Sequence, residues 1–151
     1  MATSLNADFT VHAAPATVLG VIAALEDYPK WSDTHKKFTI VSRDGNGRPT
    51  QALVEVSVAG RLDEQVLSYS WTENSVRTTL VKSSGGTLKS QESSYVVAPS
   101  GSGSRVTYEI TAEPAIPAPG FLVKKALKKV VDNATTNLAR YIERCAPSAP
   151  A

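Results

Sequence analysis

From Pro119 to about Cys145 the chain reads PGFLVKKALKKVVDNATTNLARYIERC, and no proline interrupts it after the first position. Val123, Leu127, Val130, Ala134, Leu138 and Tyr141 recur every three or four residues, which places them on one face of a helix. Lys124, Lys125, Lys128, Lys129, Arg140 and Glu143 fill much of the remainder. About 27 residues at roughly 1.5 Å each make a rod near 40 Å long, as long as a domain of this size is wide. Such a rod needs an equally long apolar surface to lie on. Everything upstream reads mainly as strand, so the sequence predicts a curved sheet closed around one long helix.

The upstream order supports this. Leu5 to His12 alternates as a first strand, and Pro15 opens a short helix, PATVLGVIAAL, with Val18, Val21, Ile22 and Leu25 on one face. EDYPKWSD follows, where Tyr28, Pro29 and Trp31 mark a tight corner or a second short helix. Further strands are predicted over 37–43, 51–59, 62–71, 76–82, 88–98 and 105–112. The turn-rich stretches DGNGRP (44–49), SSGG (83–86) and PSGSGS (99–104) separate them, the last as a flexible hairpin tip, and Gly60 breaks the chain between the third and fourth strands. In the third strand Ala52, Val54, Val56 and Val58 share a side; in the fourth, Leu67, Tyr69 and Trp71; in the last, Val106, Tyr108, Ile110 and Ala112. EPAIPAP (113–119) makes a stiff entry to the long helix. Hairpin-length connections exclude a parallel sheet, whose crossovers are longer. The expectation is an α+β fold: a curved seven-stranded antiparallel sheet, two short helices after the first strand, and a long terminal helix.

At 151 residues the chain fits one domain, 1–151, with its core over about 5–145 and a disordered tail at 146–151. A net charge of +2 is too small to argue for nucleic acid. One cysteine, Cys145, rules out an internal disulfide framework and suggests a reducing compartment. MATSLNADFTVH has no signal-peptide pattern, and no apolar run approaches the roughly 20 residues that span a bilayer, so the expected location is the cytoplasm. His12 and His35 are not at a metal-pair spacing, and H-E-x-x-H, C-x-x-C, G-x-S-x-G and P-loop patterns are absent. No metal, cofactor or catalytic residue is therefore assigned.

The acidic–aromatic–proline corner EDYPKWSD after a short amphipathic helix, the strand meander and the proline-introduced terminal helix together resemble the helix-grip superfamily. That group includes polyketide cyclase/dehydrase-like proteins, StAR-related lipid-transfer domains and coenzyme Q-binding proteins, and the chain looks most like its small stand-alone bacterial members. The resemblance covers about residues 5–145 and rests on element order more than on residue matches. It implies a large cavity between the sheet and the terminal helix, holding an apolar ligand. Aromatase/cyclases of the superfamily are understood to place a serine and an arginine two residues apart on a cavity-facing strand. An ungapped reading through GRLDEQVLSYSW puts Leu67 and Tyr69 there, and neither replaces a guanidinium.

The residues give their own support for a pocket. Gln91, Ser93 and Tyr95 make one face of their strand and Ser90, Glu92 and Ser94 the other, and neither is an ordinary core row. One row lines a cavity, or the strand is a wet edge. The candidate ligand contacts are Trp31, Val54, Val56, Leu67, Tyr69, Gln91, Ser93, Tyr108, Leu127, Val130 and Ala134. Arg77 and Arg105 alternate with apolar neighbours and are read as solvent-facing; His35, in a polar stretch, is read as surface. Lys124, Lys125, Lys128 and Lys129 are either a solvated face or a weak contact with a membrane surface or an anionic partner. The leading functional expectation is binding, carrying or sensing of a hydrophobic small molecule: a lipid, an isoprenoid or quinone, or an aromatic polyketide. The alternative is a cyclase or dehydratase using Tyr69, His35 or Glu92 as acid–base groups, attractive only if Glu92 points inward.

Overall fold

The computed structural model describes residues 2–58, 61–115 and 117–145. The break expected at Gly60 and the tail 146–151 lie outside them. In chain order the elements are β1 (Thr3–Val11), α1 (Pro15–Ala23), a 3₁₀ turn (Leu25–Lys30), β2 (His35–Arg43), β3 (Pro49–Val58), β4 (Arg61–Trp71), β5 (Ser75–Ser83), β6 (Leu88–Ser100), β7 (Gly103–Pro114), α2 (Gly120–Asp132), a π-helical turn (Asn133–Asn137) and α3 (Leu138–Cys145). The strands form one curved antiparallel sheet in the order β1-β7-β6-β5-β4-β3-β2. The two ends of this order, β1 and β2, are its edges, and β6 is an interior strand rather than a wet edge.

Strict alternation assigns the faces. In β7, Val106, Tyr108, Ile110 and Ala112 are buried while Arg105, Glu109 and Thr111 are exposed. The outer face carries cross-strand pairs such as Arg77–Glu92 (3.1 Å) and Arg105–Asp8. As exposed pairs these add little stability. On the inner face α1 packs across β6 and β7, and the terminal helix lies across β1 and β7. Leu138 and Ile142 are fully enclosed, each stabilising the fold by roughly 1.5–3 kcal/mol.

Side chains finish the ends of α1. Pro15 occupies the first turn, where no N–H is needed. At the other end the Tyr28 hydroxyl donates to the Ile22 carbonyl (2.7 Å), an acceptor that the helix leaves open, and the Arg48 guanidinium donates to the Leu19 carbonyl one turn back (2.9 Å). Arg48 also sits 5.0 Å over the Trp71 ring.

Two local departures from the expected pattern matter later. Stretch 99–104 is not a loose tip: the strands run to Ser100 and from Gly103, and the buried Ser104 hydroxyl donates to the Ala13 carbonyl (2.6 Å). A Cβ on Gly103 would fall 2.0 Å from the Val11 carbonyl oxygen, so only glycine lets β7 approach β1 this closely. The terminal helix, expected as uniform, contains the widened turn NATTN. There Thr135 donates to the Val131 carbonyl (2.7 Å), Asn133 to the Lys129 carbonyl (3.1 Å) and Asn137 to the Asn133 side chain (2.6 Å). Polar side chains competing for helix carbonyls accompany the π geometry. Beyond it the buried position falls on Ile142, and Tyr141 is left half-buried.

Candidate functional site

Between the sheet and the terminal helix lies a cavity of about 60 Å³. Its sheet wall is built from inward residues of successive strands: Phe38 on β2, Leu67 and Tyr69 on β4, Thr78 on β5, Gln91, Ser93 and Tyr95 on β6, and Tyr108 on β7. The 3₁₀ corner supplies Tyr28, and the residues after it Trp31 and Ser32; the terminal helix adds Val130, Asn133 and Ala134. Gln91, Ser93 and Tyr95 thus form the inward row of β6, and Glu92 faces outward, paired with Arg77.

Of the candidate contacts, Trp31, Leu67, Tyr69, Gln91, Ser93, Tyr108, Val130 and Ala134 come together on this wall. Val54, Val56 and Leu127 do not: they are buried in the core outside it. Alternation identifies their inward face but not which part of that face adjoins the void. The cavity is also far smaller than the resemblance implies. Ligand pockets usually occupy about 300–1,000 Å³, whereas this one has room for about two waters. Aromatic rings take up the space: Tyr95 and Tyr108 stand 4.7 Å apart, Tyr28 and Trp31 4.5 Å, and Tyr28 and Phe38 4.9 Å.

His35 is the residue that sequence reasoning misplaces. Its polar stretch reads as surface, yet it lines the cavity. Phe38 pairs with Val54, Lys37 with Glu55, and His35 with Val56, leaving Lys36 as an extra residue in the ladder. This bulge turns His35 onto the same inner face as Phe38, which simple alternation would forbid. Its imidazole stacks on Phe38 at 5.4 Å and 22°, and its Nδ1 lies 2.7 Å from the Ser32 hydroxyl. Enclosure of the ring lowers its pKa to about 4, so it is neutral at physiological pH.

The tyrosines are held protonated. Burial raises Tyr28 and Tyr95 well above the ordinary value, reinforced by neighbouring phenols; Tyr69 rises from burial and the nearby Tyr108. Tyr108 is pushed up to about 12 by burial, with a hydrogen bond from Ser93 partly opposing the rise. Tyr95 donates to the Ala134 carbonyl (2.9 Å), fixing the helix to β6. The wall therefore offers hydrogen-bond donors and flat apolar faces but no formal charge, neither Lys, Arg, Asp nor Glu. Among the described residues no three His, Cys, Asp or Glu side chains gather as a metal site. No described helix is long and apolar enough to cross a membrane.

A seven-stranded sheet closed over a C-terminal helix, with an uncharged aromatic cavity between them, defines the helix-grip class of fold. Residues 2–143 match the family model described as "Polyketide cyclase / dehydrase and lipid transport", and the chain belongs to that family. A START superfamily protein from Mycobacterium smegmatis superposes with a TM-score of 0.85 at 23% identity, covering 93% of this chain and 97% of that one. The Zhui aromatase/cyclase from a Streptomyces species gives 0.82 at 11% identity over 99% and 98% of the two chains. A protein from Thermus thermophilus gives 0.78 at 21% identity over 96% and 100%. Likeness at these identities establishes the shared fold. A search of curated proteins found no match.

Proposed function

We propose that this protein binds and carries, or senses, a hydrophobic small molecule in the cavity between sheet and terminal helix. The observation that carries this reading is the wall itself: aromatic faces with scattered neutral donors, and no charged side chain. A carrier needs those features, whereas an acid–base enzyme needs a group that titrates near neutrality. The groups named for the enzyme alternative do not meet that need. Tyr69 is held protonated, His35 is held neutral down to about pH 4, and Glu92 is outside.

A ligand larger than a few atoms enters only if the wall moves, and α2 is the element suited to give. Across its thirteen residues only Leu127 and Val131 are buried, so little apolar contact opposes its displacement. Ala134→Leu adds bulk at the wall and is expected to weaken ligand binding at least about tenfold. Native mass spectrometry of gently purified protein, followed by extraction, checks this: a small-molecule adduct on the wild type is lost in the variant. Equal loading of two equally well folded proteins would place the site elsewhere.

α2 also supports a contact with an anionic bilayer. Beside Lys124, Lys125, Lys128 and Lys129, all exposed, Phe121 and Leu122 are 72% and 48% exposed. Apolar side chains flanked by cations suit the headgroup boundary of such a surface. Phosphatidylserine vesicles are expected to sediment the protein at low salt, and Phe121→Ser to reduce partitioning about tenfold, the value of one buried aromatic ring. Binding to neutral vesicles that equals binding to anionic ones would refute the charge complementarity.

A further inference from the structure

We propose that the ligand of this cavity is a neutral carbonyl compound, a ketone or quinone on an apolar frame, whose oxygen accepts a hydrogen bond from the indole N–H of Trp31. This rests on the carrier reading above and sharpens it to a chemical class.

Trp31 is 6% exposed, and its Nε1 is a buried side-chain donor without a hydrogen-bond partner among the described residues. The contrast with its surroundings is informative. Trp71, the second tryptophan, donates to the Pro49 carbonyl at 2.7 Å. On the cavity wall Tyr28, Tyr95 and Asn133 each donate to a backbone carbonyl, and Ser32 is engaged with His35. The donors of Tyr28, Tyr95 and Asn133 are thus spent on the backbone, whereas that of Trp31 is not. A buried donor left unpaired costs about 1–3 kcal/mol, and a bound acceptor removes that cost. The Trp31 ring lines the cavity while its N–H is closed off from the void, so the same movement of the wall that admits a ligand is what brings a carbonyl oxygen to it.

The wall also discriminates by charge. With no Lys or Arg in it and a neutral His35, a carboxylate would be desolvated with no cation to meet it. A fatty acid is thereby disfavoured and a neutral carbonyl favoured. The tilted Tyr28–Trp31 pair and the Tyr95–Tyr108 pair give flat surfaces that suit a ring system beside that oxygen.

Three probes of one shape separate the possibilities: 2-acetylnaphthalene, 2-ethylnaphthalene and 2-naphthoate, titrated calorimetrically at pH 7. The wild type is expected to bind the ketone about tenfold more tightly than the hydrocarbon, the value of one well-formed hydrogen bond, and the carboxylate most weakly. Trp31→Phe should erase the preference for the ketone over the hydrocarbon, whatever change the smaller ring makes to the affinity the two probes share. A second readout needs no variant. The sequence has two tryptophans, so two indole N–H resonances report separately, and the ketone alone should shift the Trp31 signal downfield while that of Trp71 stays. Equal affinity for ketone and hydrocarbon, or an unmoved Trp31 signal, overturns the carbonyl anchor and leaves the hydrophobic-ligand reading standing. Failure of all three probes to bind overturns both.

Discussion

Replacing Asp63 by alanine is expected to destabilise the protein by about 3 kcal/mol, measured as a lower urea midpoint at pH 7 with an unchanged slope. Asp63 is 2% exposed on the inner face of β4, outside the aromatic cavity lining. Its carboxylate accepts four hydrogen bonds: from Gln65 Nε2 (3.0 Å), Ser83 Oγ (2.5 Å), Thr87 Oγ1 (2.5 Å) and the Gly85 backbone N–H (2.6 Å). It thereby clamps the turn between β5 and β6 to β4. A Cβ on Gly85 would come within 2.7 Å of the same carboxylate, so the glycine is part of the clamp. Alanine leaves four donors around a void, and the cost of orphaned donors dominates. Burial alone would raise the Asp63 pKa, but the hydrogen bonds from Ser83, Thr87, Gln65 and Gly85 outweigh it and bring the group below its ordinary 3.8. A depressed folded pKa means that the unfolded chain takes up the proton first. The stabilisation is complete above the ordinary value and is lost as pH falls through the lower folded one. The difference between wild type and Asp63→Ala should therefore shrink in strong acid. A loss below about 1 kcal/mol at neutral pH would mean that the donors find other partners.

The second large effect lies at milder pH. Between pH 6.5 and about 4 the wild type is expected to lose about 3 kcal/mol of stability through His35, at about 1.36 kcal/mol per unit of pKa difference. The folded pKa is the lower one, so the unfolded state binds the extra proton and stability rises with pH across this window. The side chains against the imidazole, namely Tyr28, Phe38, Ser32 and Thr34, are neutral, so no opposite charge offsets the desolvation of the imidazolium. His35→Leu should flatten the profile from pH 6.5 to about 4 and leave the Asp63-dependent fall below 3.8 in place. Parallel profiles for variant and wild type would show that the ring is hydrated in the folded protein.

The contrast between these two residues shows what the sequence makes legible. Asp63 obeys the same alternation that turns Leu67, Tyr69 and Trp71 inward, and its register opposite Val56 confirms it. Alternation alone, extended three steps back from Tyr69, marks it as an inward charge in need of donors; Gln65 lies two residues along the same strand, but the other three donors come from a turn some twenty residues on and could not be foreseen. His35 breaks alternation because one extra residue in β2 resets the phase, and a bulge leaves no mark in residue type here. The same limit applies to α3. The three-to-four spacing locates the terminal helix and most of its buried face, but the π turn moves that face from Tyr141 to Ile142. The aromatic cavity wall is readable as inward rows. Its volume is not, because volume depends on how the rings of Tyr28, Tyr69, Tyr95 and Tyr108 meet.

The closing of the sheet at β1 sets an order of events during synthesis. Thr3 pairs with Ala112 and Val11 with Ser104, so the first strand made waits roughly 100 residues for its neighbour. At about 5–20 residues per second that delay is roughly 5–20 s, during which Leu5 and Phe9 lack their native cover. The meander from β2 to β6 can zip locally as it emerges, whereas β1 must be captured last, together with the helix whose Glu143 accepts from the His12 backbone N–H at 2.6 Å. Folding speed and early aggregation therefore depend on how the nascent β1 is shielded, a demand that the finished structure no longer displays.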